Sequence, residues 1–406
     1  MIRTTVTQRP NVKDNVSMTI YLDHNATSPI REEVLDAMRE AWTRFPGNPA
    51  SQHASGRAAR RRLTNAREHI LSLLGADQGR AGDRVVFTSG GTEANNLAII
   101  GMAMARRRVA PGRVIISSIE HPSVLRAAEH LLEQGWRLDT LDVSRDGVVN
   151  LDSLKSWISP DVALVSVTLA NHETGVIQPI AEIVSICHAC GVPVHTDAVQ
   201  AVGKIPVSFQ QLGVDAMTIA AHKFCGPLGI GALIVRGGQS LCPILYGGEQ
   251  QDGLRPGTES VALAVGMEAA LELTVRQLPE NTSRMRTLQE RFEARLKAEI
   301  PQVMIHGCRG ARLPQTTCLA IPGIENQLLL AALDNEGIEC SVGSACSSGS
   351  AEPSPTLLAM GIPRELVKCS LRFSFGPQTT WQELETASSI IGQVVRRLQT
   401  SRGFGF

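Results

Sequence analysis

The chain has 406 residues, enough for two or three domains and for a large core that needs no covalent staples. Lys plus Arg number 39 and Asp plus Glu number 39, a formal net charge of zero. That balance argues against a dedicated nucleic-acid binder or a polybasic membrane-surface protein, and 43% hydrophobic residues with 36 Gly and 21 Pro is an ordinary globular composition.

Residues 1–18 are polar and mixed and carry no apolar signal-peptide core, so they are expected to form a flexible arm. No run of about 18 apolar residues marks a membrane span. A cytoplasmic location with reduced thiols is therefore expected, and the nine cysteines must be either filler or chemistry. Structure is expected to begin at Ile20-Tyr21-Leu22, a segment of 19–30 that packs on a smaller domain. Helical apolar spacing follows in EEVLDAMREAW and ARRRLTNAREHILSLLGA, ended by Gly75.

An alternation of strands and helices then begins. Arg84–Phe87 and Val114–Ser117 read as strands, as do LDTLDV, VALVSVTLA, VPVHTDA, AMTIA and IGALIV. TEANNLAIIGMAMA, SVLRAAEHLLEQG and IAEIVSICHACG read as helices. This texture predicts an α/β fold with a mostly parallel sheet covered on both faces, spanning 31–270. A long helix is expected from Ser260 to Glu299 with a break near Pro279. A smaller α/β domain over 271–406 ends in a helix from Thr380 to Arg402.

Several candidate groups follow strands of the larger domain. Gly91 and Thr92 sit in Ser89-Gly90-Gly91-Thr92-Glu93, between a strand and a helix, where free N–H groups and the helix dipole suit a phosphate; a plain tight turn fits as well. Asp197 ends an apolar strand and needs a partner for its charge, such as a protonated ring nitrogen, unless it only caps a helix. Lys223 lies between an apolar strand and a Gly-Pro turn, where partial burial makes an amine nucleophile. Together, a phosphate cradle, a strand-end Asp and a strand-end Lys are the equipment for pyridoxal 5'-phosphate. His121 ends another strand on the same face.

Cys346 lies in SVGSACSSGS, a run of small residues with little to pack against, and reads as an exposed nucleophile or a bare linker thiol. Cys187 and Cys190 form a CxxC on a predicted helix with no second pair nearby. They read as core filler, and no metal site is expected. The other six cysteines receive no role. Arg372 reads as a carboxylate clamp or an ordinary strand residue. Arg57, Arg60, Arg61, Arg62 and Arg67 read as a solvated helix face, or else a docking patch for an acidic partner.

YLDHNAT, GNPAS, TSGGTEANNLAI, EHPSV, HTDAVQ, AHKFCGPLGIGAL, LRPGTES, SVGSACSSGSAEPS and LRFSFG follow one another along the chain in an order and spacing that match a known family. The chain resembles the NifS/IscS-like cysteine desulfurases of the class V aminotransferase fold, from residue 21 to the last helix. The resemblance implies a fold type I PLP-transferase, with Cys346 on a long loop of the small domain. In such a protein Lys223 would carry the cofactor as a Schiff base, Asp197 would pair with its ring nitrogen, and Gln200 would bond its phenolic oxygen. His121 would stack on the ring and move protons. Gly91, Thr92 and His222 would hold the phosphate. Thr258 would reach the phosphate of a second subunit, making a homodimer. Asn48 and Arg372 would bind the carboxylate of L-cysteine. Cys346 would take the sulfur as a persulfide, release alanine, and pass sulfur to an acceptor protein for iron–sulfur assembly or thiolation. Neither a nucleic acid nor a membrane is implied as a partner.

Three departures from the family pattern stand out. Ala220 replaces a phosphate-binding Ser, QQDGLRPGT replaces a QERG-type run, and His172 replaces the second Asn of N-N-E-x-G, where it would still donate to the cofactor ring oxygen. A selenocysteine lyase or another class V enzyme is the alternative, and a non-catalytic scaffold a third reading. Cys346 and Lys223 separate these.

Overall fold

The strand–helix alternation builds a seven-stranded sheet in a computed structural model that describes residues 19–79, 82–106, 111–343 and 353–402. In chain order the strands are β2 (Arg84–Thr88), β3 (Arg113–Ser117), β4 (Arg137–Leu141), β5 (Val162–Ser166), β6 (Val194–Asp197), β7 (Ala216–Ala220) and β8 (Gly231–Val235). Their spatial order is β2-β8-β7-β6-β5-β3-β4. Only β8 runs against its neighbours, and the other pairings are parallel. Successive side chains of a strand point to opposite faces, so a sheet covered on both sides needs continuous apolar runs. Ile115 accordingly enters one core with Val165 and Met217, while Val114 and Ile116 enter the other with Leu97 and Val124. β5, β6 and β7 are buried at every residue.

Helices α1 (Glu32–Arg44) and α2 (Ala54–Leu73) cover the first face. Helices α3 (Gly91–Ala105) and α4 (Pro122–Leu132) cover the second. Gly75, at φ +61°, takes the left-handed turn that lets the chain leave α2.

The long helix α8 (Val261–Glu299) joins the two halves of the molecule. It runs unbroken through Pro279, where the sequence led us to expect a break. Its early turns place Ala264, Met267 and Leu271 in the sheet core, and its late turns place Leu288, Phe292 and Leu296 in a second core. Packing at both ends outweighs the hydrogen bond that Pro279 removes. The second core also holds Leu319 of β10 (Thr316–Ala320), Leu371 and Phe373 of β12 (Ser370–Ser374), and Leu384 and Ile391 of α12 (Trp381–Arg402). Phe292 meets Phe373 and Phe375 edge-on, at centroid distances of 5.6 and 5.3 Å.

The first strand, β1 (Ile20–Tyr21), pairs in parallel with β11 (Ile338–Glu339), so the chain starts on the second core and then crosses to the first. Among the described residues no helix is long and apolar enough to cross a membrane.

Candidate active site

Segments at the carboxyl ends of five strands meet at one cavity of about 240 Å³. Gly91 and Thr92 follow β2, His121 and Ser123 follow β3, and Thr168, Ala170 and His172 follow β5. Asp197 ends β6 with Gln200 just beyond it, and Ala220, His222 and Lys223 come from the end of β7 and the short helical turn after it. This is where open α/β sheets bind ligands, because the strand ends leave a crevice lined by loops and helix N-termini.

Asp197 receives Asn95 Nδ2 at 2.7 Å and the Val199 N–H at 2.9 Å. Asn95 also donates to Ser123 Oγ at 2.8 Å. Sequence reasoning did not single out Asn95, although a polar residue amid the apolar stretch of α3 was a usable signal. Asn95 and Gln200 are both buried and line the cavity, and each keeps one amide oxygen, Oδ1 and Oε1, without a protein partner. Buried acceptors normally find donors.

A second carboxyl group lies behind Asp197. Glu120 Oε1 accepts the Thr168 N–H at 2.8 Å and the Ser117 hydroxyl. Burial, with the nearby Asp197 charge adding to it, pushes the Glu120 carboxyl up to about 8. One carboxyl is thus kept neutral beside a fixed one that faces the cavity. In the strand below, His195 bonds Ser166 Oγ at 2.9 Å and Thr218 Oγ1 at 3.0 Å, and burial pushes it down to about 3. It is a satisfied, uncharged core histidine.

Lys223 Nζ donates to the carbonyls of Asn25 at 2.6 Å and Ala26 at 2.8 Å. Gln200 Nε2 donates to the same Asn25 carbonyl at 2.9 Å. The N-terminal segment therefore seats the amine, a contribution not foreseen from sequence. Lys204 is buried close by, and burial followed by the Lys223 charge pushes it down to about 7. His222 contacts Thr27 Oγ1 at 3.2 Å, and burial, then Lys223 and Lys204, pushes it down to about 4.

His121 caps α4 through Nδ1, accepting the Ser123 N–H at 3.1 Å. Its ring meets His172 edge-on at 5.3 Å between centroids. Burial, then the charges of His121, Arg372 and Lys223, holds His172 well below the usual histidine range, so it is a neutral imidazole at neutral pH.

The remaining predicted residues lie apart from this cavity. Arg372 is 3% exposed and donates to Asp23 Oδ1 at 2.7 Å and to the His172 carbonyl at 2.9 Å, leaving Nε without a partner. Asn48 is exposed and accepts the Ala50 N–H at 2.9 Å, and Thr258 is exposed. Neither lines the cavity. Cys346 lies outside the described residues. Cys187 is buried, as core filler should be, but Cys190 is exposed at the end of its helix, so that half of the CxxC expectation is corrected. The arginine cluster is only partly a solvated face: Arg62 pairs with Glu268, Arg67 with Glu259, and Arg60 donates to the Pro49 carbonyl.

The chain belongs to the class-V aminotransferase family, whose model matches residues 20–386. Among relatives it is 40% identical over 381 residues to the cysteine desulfurase IscS of Dictyoglomus turgidum, covering 94% of this chain and 95% of that one. It is 42% identical over 383 residues to an IscS-like cysteine desulfurase of Mycobacterium tuberculosis, covering 93% and 96%. A solved NifS-like protein superposes with a TM-score of 0.86 at 32% identity, covering 94% of this chain and all of the other. A solved structure of SspA in complex with cysteine superposes with a TM-score of 0.77 at 29% identity, covering 89% and 100%.

The family is PLP-dependent, and the cavity fits that group. Gly90 caps α3 with no side-chain bond, so the first N–H groups of a 15-residue helix remain available for a phosphate. A Cβ on Gly91 would come within 3.1 Å of Val199 Cγ2, so glycine keeps that wall of the cavity clear. Asp197, held by Asn95 and the Val199 N–H, offers a fixed acceptor on the cavity wall that fits a ring N–H.

The Glu120 carboxyl gives a pH signature. Its folded value is raised above the ordinary one, so its contribution to stability is full below about 4.5 and is lost as pH rises through about 8. Glu120→Gln is therefore expected to lose less thermal stability than the parent protein between pH 6 and pH 9, read by scanning calorimetry. Equal losses in the two proteins would show that Glu120 is not the titrating group.

Proposed function

We propose that Lys223, Asp197 and Cys346 carry the cysteine desulfurase activity of this chain, converting L-cysteine to L-alanine and passing sulfur to an acceptor protein. The observation that carries the reading is the convergence of Lys223, Asp197 and an uncapped helix N-terminus on one strand-end cavity. Gly91, Thr92 and His222 would hold the phosphate of PLP, Asp197 its ring nitrogen, and Gln200 and His172 its phenolic oxygen. Bound PLP supplies an electron sink for charge that develops at the substrate Cα.

The chain's own residues do the rest. Lys223 would hold the cofactor through its amine and, with His121, would move the proton of the substrate Cα. Asn48 and Arg372 hold the substrate carboxylate. For Arg372 this means sharing a guanidinium already bonded to Asp23, and its partnerless Nε is the donor left over. The Cys346 thiolate attacks the substrate sulfur. The C–S bond breaks, an S–S bond forms at Cys346, and Cβ takes a proton to give alanine. An acceptor thiol then removes the outer sulfur. Thr258 would act in the site of a second copy, a role supported by its exposure and by its not lining the cavity of its own chain.

Purified protein is expected to show a visible absorbance band and to release sulfide and alanine from L-cysteine with a reductant. Lys223→Ala is expected to lose the band. Cys346→Ala is expected to keep the band and lose sulfide release. A colourless protein that forms no alanine would refute the reading. Ala220 is buried beside His222 where the family carries a hydroxyl. A hydrogen bond to a charged phosphate is worth about 1.5–3 kcal/mol, so Ala220→Ser is expected to slow cofactor loss by dialysis about tenfold or more. An unchanged rate would place the phosphate away from residue 220.

A further inference from the structure

Two backbone carbonyls meet the Lys223 amine, and the side chain on one of those residues is anchored in the other half of the molecule. The carbonyls of Asn25 and Ala26 receive Lys223 Nζ at 2.6 and 2.8 Å. Successive carbonyls of an extended strand alternate in direction, so a turn is needed for two of them to reach one amine. The N–H groups of Ala26 and Thr27 close that turn by donating to the Asp23 carbonyl, at 3.0 and 3.4 Å. Ala26 lines the cavity and Asn25 does not.

Asn25 is 1% exposed, and each of its polar atoms has a partner. Its N–H donates to Ser374 Oγ at 2.9 Å. Nδ2 donates to Thr316 Oγ1 at 2.9 Å and to the His172 carbonyl at 3.3 Å, and Oδ1 accepts Gln315 Nε2 at 3.4 Å. Its carbonyl takes Gln200 Nε2 at 2.9 Å besides the amine. Thr316 of β10 and Ser374 of β12 face each other in the register of those strands. Both hydroxyls that hold Asn25 therefore belong to one fully buried rung of the second half. No step described above uses the Asn25 side chain, although a buried amide with this many bonds fixes whatever it is attached to.

We infer that the Asn25 side chain is a positioning residue for proton transfer at the substrate Cα, pinning to β10 and β12 the turn whose carbonyls seat the Lys223 amine whenever that amine is not bonded to the cofactor. The inference rests on the reading that Lys223 holds the cofactor and moves that proton. A lysine amine sits on a flexible four-carbon stem, so once released it needs a seat to stay aimed at one atom. The two carbonyls are that seat, and their direction is set by the turn. The amide of Asn25 suits the task because it donates and accepts at once. Ala loses all three side-chain bonds. Asp loses both donated by Nδ2 and sets a carboxylate against the His172 carbonyl.

The test uses the full-length PLP-loaded enzyme and the variants Asn25→Ala and Thr316→Val, the second removing the acceptor of the same bond from the other side. In both, the visible band and KM for L-cysteine are expected to stay as in the parent. In Asn25→Ala, kcat for alanine formation should fall by about tenfold to a hundredfold, because a misplacement of about 1 Å costs that much, and Thr316→Val should show a smaller fall. Deuterium at Cα of L-cysteine should slow both variants by a larger factor than the parent, which a loss of packing alone would not cause. A second readout needs no turnover. In full-length protein stripped of PLP, with its melting transition retained in calorimetry, cyanate should carbamoylate Lys223 about tenfold faster in Asn25→Ala than in the parent, because the hydrogen bonds that hold its ammonium are weakened. If Asn25→Ala does not fold, Thr316→Val decides by the same readouts. A parent-like isotope effect and parent-like carbamoylation in the variants would overturn the inference, as would loss of the visible band together with activity. Carbamoylation does not depend on the task of Lys223 in turnover. A Lys223→Ala protein that keeps the visible band and forms alanine would therefore refute the Lys223 reading, while the carbamoylation rates would still decide the seat.

Discussion

A charged carboxylate at the end of a buried strand is the constraint around which the molecule is arranged. All four residues of β6 are buried, and Asp197 is the last of them. Such a group is tolerated only with several donors, and it has two from the protein, Asn95 and the Val199 N–H. Supplying Asn95 requires α3 to lie across the strand ends, which also brings its uncapped N-terminus to the cavity. Glu120, its carboxyl pushed up by burial to about 8, stays neutral nearby. A cationic ring N–H would be a natural third donor for Asp197.

The second constraint is that the two halves act as one unit. Asn25 is the joint. Its carbonyl receives Lys223 and Gln200 from the sheet side, while its own N–H and side chain donate to Ser374 and Thr316 on the other, at 2.9 Å each. Arg372 reinforces this by bonding Asp23 and the His172 carbonyl. The amine at the cavity floor and strands β10 and β12 of the second core are therefore held by one short stretch of the N-terminal segment. The proposed reaction, from Lys223 to a thiol in the other half of the chain, would need such a joint, since errors in relative position pass directly into the distance between reacting atoms.

Much of this was legible in the sequence, for an identifiable reason. Gly91, His121, Asp197 and Lys223 each follow an apolar run by a few residues, and parallel sheets place all such positions along one edge. The strand order was not legible, because pairing in an α/β sheet is settled by tertiary contacts. Asn25, Asn95 and Glu120 were missed for a related reason: each matters through partners far away in the chain, such as Asp197, which lies 102 positions beyond Asn95. The continuity of α8 through Pro279 shows the limit of local propensity, since cores at both of its ends hold it together. Arg372 is a buried residue of β12 whose guanidinium already grips Asp23, a partner that its sequence neighbours did not reveal.

The central claim is that chemistry begun at Lys223 deposits sulfur on Cys346. The most direct measurement is the mass of the proteolytic peptide containing Cys346 after the PLP-loaded enzyme meets L-cysteine without reductant. The account predicts a gain of one sulfur atom on that peptide in the parent protein and none in Lys223→Ala. Sulfur found on another of the nine cysteines, or a gain that persists in Lys223→Ala, would contradict it.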